Sequence, residues 1–118
     1  MICPYCKKEA KLVTGEYIHP FQPRHKDKKY YLCDACDAYV GCHKGTAKAL
    51  GTLANYELRI LRMKVHVVFD HIWKSGLITR KEAYITLAMN LNISLTKCHI
   101  AAFDINICNR ALEIFKCG

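Results

Sequence analysis

Two cysteine pairs, Cys3-Pro4-Tyr5-Cys6 and Cys33-Asp34-Ala35-Cys36, have the spacing at which sulfur ligates a metal. Each C-x-x-C presents two thiolates from one tight turn, and 26 residues separate the pairs. Four thiolates prefer zinc, and a closed tetrahedral set leaves no position for water. The expectation is one structural Zn2+ held by Cys3, Cys6, Cys33 and Cys36. A redox dithiol, ordinary buried thiols or an iron–sulfur centre would use the same residue type; the second pair at ribbon spacing favours zinc. A hairpin of this size buries too little apolar surface to fold alone, whereas zinc contributes on the order of 10 kcal/mol to such a module.

Weaker constellations follow. Cys42-His43 and Cys98-His99 are adjacent Cys-His pairs. Brought together they would make a second metal site or a thiol-imidazole couple, but neighbours in a strand point to opposite faces and on a helix lie about 100° apart. Buried thiols beside hydrogen-bonded imidazoles are the plainer expectation. His66 and Asp70 stand four apart on a helix, next to Arg59 and Arg62, where a carboxylate can orient an imidazole for acid-base work. No third group or substrate cradle accompanies them, so a polar helix face is preferred to a catalytic role for His66, Asp70, Cys98 or His99. No catalytic residue is assigned. Arg24, Lys26, Lys28 and Lys29, with Lys7, Lys8 and Lys11 and the aromatics Tyr17, Phe21, Tyr30 and Tyr31, suit either a nucleic-acid surface or a solvated loop over buried rings.

The elements that must position these groups change character near Gly45. Before it, β-prone runs at 11–13, 16–18, 29–32 and 38–40 are interrupted by Pro20, Pro23 and the charged stretch from Arg24, which reads as a small hairpin with a mobile loop at its tip. From Asn55 the apolar period is helical. Leu58, Leu61, Val65, Val68, Phe69 and Ile72 share one face of a helix over 56–74, and Gly76 is its stop signal. Thr79 with Glu82 is a capping box opening a helix to Leu91, with Ala83, Leu87 and Leu91 inward. A short turn over 96–102 follows, and Asp104 caps a last helix burying Ile105, Cys108, Leu112 and Phe115. The fold class is α+β: a zinc-ribbon β-hairpin, residues 1–45, packed on a bundle of three to four helices, residues 46–118, as one compact unit.

With 118 residues the chain is one domain in size. No apolar run spans a bilayer, and the first residues carry no signal core, so a cytoplasmic protein is expected, in the host cell if phage-encoded. Eight cysteines in a reducing compartment point to metal ligation and buried thiols, not to a disulfide framework. The formal charge of +8 falls to about +6 once four thiolates hold one divalent ion. That positive balance favours acidic partners and excludes an inhibitor that works by mimicking DNA.

Taken together, the motifs resemble a small zinc-finger-containing domain found mainly in phage and prophage proteins. The residues carrying the resemblance are the two cysteine pairs, Tyr39-Val40-Gly41-Cys42-His43-Lys44-Gly45-Thr46, Leu50-Gly51-Thr52-Leu53-Ala54, His66, Phe69-Asp70, Trp73-Lys74-Ser75-Gly76, Arg80, Ala83-Tyr84 and Cys98-His99-Ile100. The family description carries zinc and no activity. The resemblance implies a phage-type accessory protein, a non-enzymatic binder that inhibits a host nucleic-acid-directed defence enzyme, with an anti-CRISPR protein acting on Cas9 as the specific form. The alternative is a DNA- or RNA-binding zinc ribbon using Arg24, Lys26, Lys28 and Lys29.

Overall fold

A computed structural model of the chain describes residues 1–117, leaving Gly118 and the Cys117 side chain outside the description. The architecture is α+β, with an antiparallel sheet in the N-terminal half and the longer helices after it. The chain forms two compact units, Met1–Tyr56 and the residues from Glu57 onward.

In the first unit, β1 (Lys11–Thr14), β2 (Lys29–Cys33) and β3 (Ala38–Gly41) form a sheet in the order β1-β2-β3. The central strand β2 pairs antiparallel on both sides, Val13 with Tyr30 and Leu32 with Tyr39, so the expected hairpin has a third strand. Alternation along β2 and β3 buries Tyr30, Leu32, Ala38 and Val40. The β-prone run 16–18 is not a strand. It belongs to a single helical turn, α1 (Gly15–Ile18), because the Gly15 amide donates to the Lys28 carbonyl at 2.6 Å and turns the chain out of the sheet. In the loop that follows, Gln22, His25 and Lys26 each donate a backbone hydrogen bond. After β3 the chain returns alongside the sheet, with Cys42 bridging to Ala49 and Tyr39 to Ala54. Leu53 is thereby buried with Cys3, Ala10, Cys33, Ala38 and Val40 in one core cluster.

The second unit contains α2 (Tyr56–Lys74), α3 (Arg80–Leu91) and α4 (Ile105–Cys117). Gly76, at φ 86°, ends the turn after α2, a conformation without steric cost for glycine. The Thr79–Glu82 capping box forms in both directions, at 3.1 and 3.2 Å. Asp104 Oδ1 accepts from the Ile107 amide at 2.8 Å and caps α4. The turn over 96–102 resolves into two 3-10 turns, Leu95–Lys97 and Ile100–Ala102. Leu58, Val65, Phe69, Ala83, Leu87, Leu91, Ile100, Phe103 and Cys108 are buried. Leu112 and Phe115, expected inside, are half-buried, and two expectations change further. Ile105 is exposed, since it sits in the first turn of α4, and Arg62, expected among polar surface groups, is buried on the core face of α2.

Candidate metal centre

The two knuckles are built alike. Cys3 donates its amide to Lys8 O at 2.8 Å and accepts from the Lys7 amide at 2.9 Å, closing a turn around Pro4-Tyr5-Cys6. The Asp37 amide closes the second turn onto Asp34 O at 3.2 Å. In each, the residue after the second cysteine takes left-handed backbone, Lys7 at φ 65° and Asp37 at φ 49°. The first knuckle is carried ahead of β1 and the second joins β2 to β3, so sheet pairing brings them together.

The outcome is a cluster in which the sulfurs of Cys3, Cys6, Cys33 and Cys36 all lie within 4.8 Å of one another. Cys6 and Cys33 Sγ are 3.6 Å apart, near the roughly 3.8 Å separating sulfurs of a tetrahedral site with Zn–S of about 2.3 Å. Cys3 and Cys33 are buried, Cys6 and Cys36 half-buried. Against burial, which pushes it up, the amides of Cys6 and Tyr5 and the neighbouring thiols Cys33 and Cys6 hold the Cys3 thiol down, to about 7. Burial, followed by the crowding thiols of Cys6, Cys33 and Cys3, pushes Cys36 up to about 12. Four soft donors with no carboxylate or fifth ligand fit one structural zinc.

Among the described residues no other group of three or more His, Cys, Asp and Glu side chains comes together this way. Cys98 is buried with His99 exposed, and Cys42 is half-buried with His43 exposed, so each adjacent pair divides between interior and surface. Cys98 Sγ contacts Tyr84 O at 3.8 Å, and burial pushes its thiol up. Asp70 accepts from Trp73 Nε1 at 3.0 Å. Burial lowers the His66 pKa, with Asp70 opposing and Arg80 assisting. Arg80 lies over the Tyr84 ring, 4.9 Å from its centroid, and donates to its hydroxyl at 3.4 Å.

Sequence reasoning named the basic loop Arg24, Lys26, Lys28 and Lys29 but missed Lys44, which joins three of those cations in a basic groove in the first unit. About 1000 Å³ in volume, it is lined by Arg24 and Lys28 from the loop before β2, by Lys29 at the start of β2 and by Lys44 from the turn after β3. Lys26, of the same loop, is not among its lining residues. The signal was divided between two segments 15 residues apart in sequence, from Lys29 to Lys44, with no motif linking them.

A family model described as a zinc-finger-containing domain matches residues 1–117. Neither a curated protein nor a solved structure matches the chain.

Proposed function

Because the chain belongs to the zinc-finger-containing domain family, we propose that it is a zinc-stabilised binding protein and not an enzyme, with a protein as its partner. One observation carries the reading: the solvent side of α2 presents Met63 and Val67, one helical turn apart and 54% and 65% exposed. Met89, 76% exposed, stands one turn after the exposed Ile85 on α3. Flexible methionines on an open helix face suit an adaptable protein contact. Against catalysis stand the engagement of Asp70 by Trp73 and the burial of Cys98, which pushes its thiol up.

Inhibition of a host nucleic-acid-directed defence enzyme, Cas9 in particular, rests on the resemblance to phage and prophage proteins. The positive net charge, about +6 with zinc bound, supports a grip on an acidic protein surface. The zinc-loaded protein is used to capture Cas9 from a bacterial lysate, with and without nuclease treatment. Capture that survives nuclease and is lost in Met63→Glu/Val67→Glu supports the reading; capture indifferent to both changes refutes the assigned face. A nucleic-acid-binding ribbon is the second reading, favoured by the four cations of the groove. The two agree if the target is itself loaded with nucleic acid.

A further inference from the structure

Two basic segments face one another in the first unit. The loop between α1 and β2 brings Arg24 and Lys28, the first residue of β2 brings Lys29, and the turn after β3 brings Lys44. All four are exposed. Among the described residues Asp27 is the one carboxylate lining the groove, so the lining carries a formal charge of about +3 with its histidine neutral. Each wall is pinned. Gly15 binds Lys28 through the backbone, and a Cβ at Gly15 would overlap the His25 carbonyl, so the loop passes where glycine alone leaves room. On the other side, the Cys42 amide donates to Lys29 O at 2.9 Å, and Leu50 N to Gly41 O at 2.9 Å. Gly45, at φ 73°, lets the turn reverse after Lys44. Tyr30 and Gly41 lie between the walls.

Cations held on both sides of a groove match a ligand with regularly spaced negative charge. In the same loop, three residues before Arg24 and outside the lining of the groove itself, Phe21 is 93% exposed and leaves its ring open to a ligand. Tyr17, four residues earlier on α1, is also exposed. Aromatic faces beside a phosphate-binding track are the means by which proteins hold unpaired bases, since every base has a face to stack. A duplex keeps its bases stacked inside and has no use for such rings. The geometry points to a single-stranded nucleic acid, its phosphodiester backbone lying in the groove between Arg24, Lys28, Lys29 and Lys44 and a base stacking on Phe21. This inference rests on the second functional reading and adds to it the strand type and the contacts.

The probe is a fluorescein-labelled twelve-residue oligothymidylate, with anisotropy read from 20 to 300 mM NaCl against the zinc-loaded full chain. Wild type binds, and its log affinity falls linearly with log salt. Lys44→Glu and Arg24→Glu each weaken binding by about tenfold and lessen the salt slope by about 1. Phe21→Ala weakens binding about tenfold with the slope unchanged. Lys26→Glu makes the same charge change outside the groove lining and, read at 300 mM NaCl where screening acts within about 6 Å, weakens binding by less than Lys44→Glu. Amide spectra and zinc content confirm that each variant is folded, and Lys44→Gln repeats the test without charge reversal. Absence of binding at 20 mM NaCl refutes the nucleic-acid reading itself. Binding that Lys26→Glu weakens as much as Lys44→Glu leaves that reading intact and overturns the groove. Tighter binding of a duplex, or equal binding of polyglutamate, overturns the single-strand assignment.

Discussion

Arg62 Nε donates to the Phe103 carbonyl oxygen at 2.9 Å, joining α2 to the turn that precedes α4 inside the second unit. The guanidinium is only 8% exposed, and a buried charge of this kind is retained where it satisfies a carbonyl that has no helical partner. Arg62→Leu keeps the apolar stem and removes the donor. It is expected to destabilise the unit by about 2–4 kcal/mol, measured by urea denaturation of the helical signal. An unchanged midpoint would mean that water or backbone adjustment satisfies Phe103 equally well.

Zinc removal acts on the first unit. Its core is a short list of small side chains around Cys3 and Cys33, so the metal supplies much of the free energy that orders the sheet, on the order of 10 kcal/mol. Elemental analysis should find one zinc per chain. Chelation or Cys33→Ser should collapse the dispersed amide resonances of β1–β3; a metal-free protein that keeps them would show that the thiols act only as packing.

Both knuckles turn through left-handed backbone at a residue other than glycine, at a cost of about 1–2 kcal/mol for an ordinary side chain. Lys7→Gly is therefore expected to stabilise the zinc-loaded protein by about 1 kcal/mol, and Lys7→Val to destabilise it by at least as much. Asp37→Gly should gain less, because aspartate tolerates this region better than lysine. Denaturation at fixed free zinc tests the order, and a loss of stability in Lys7→Gly would contradict it.

Cys108 is fully buried, and burial pushes its thiol up to about 11, with Arg62 opposing and Asp104 adding to the rise. The unfolded thiol ionises near 9.0. Between these values the unfolded chain holds fewer protons, so this contribution is complete below pH 9 and is lost as pH rises toward 11. The slope is at most about 1.4 kcal/mol per pH unit for one group. Cys98 shifts in the same direction. Stability of the helical unit measured from pH 8 to 10.5 should fall, and Cys108→Ala should flatten the fall; equal slopes would show that other groups dominate.

Much of this was already written in local pattern. The cysteine pairs announced a four-thiolate centre because ligand type and spacing are themselves the chemistry. The 3.6-residue period of 56–74, Gly76 and the Thr79–Glu82 box located α2 and the start of α3 because those signals act within one or two turns. What tertiary structure decided was long-range. The run 16–18 became a helical turn because Gly15 meets the loop at Lys28, a contact no local propensity encodes. Arg62 went inward because the Phe103 carbonyl, 41 residues away, needed a donor. Lys44 joined Arg24 in one groove, and Lys26 did not, because sheet pairing places the turn after β3 beside the loop before β2. A sequence states what each residue can do; which of them face one another depends on the closure of the chain around buried side chains and a metal.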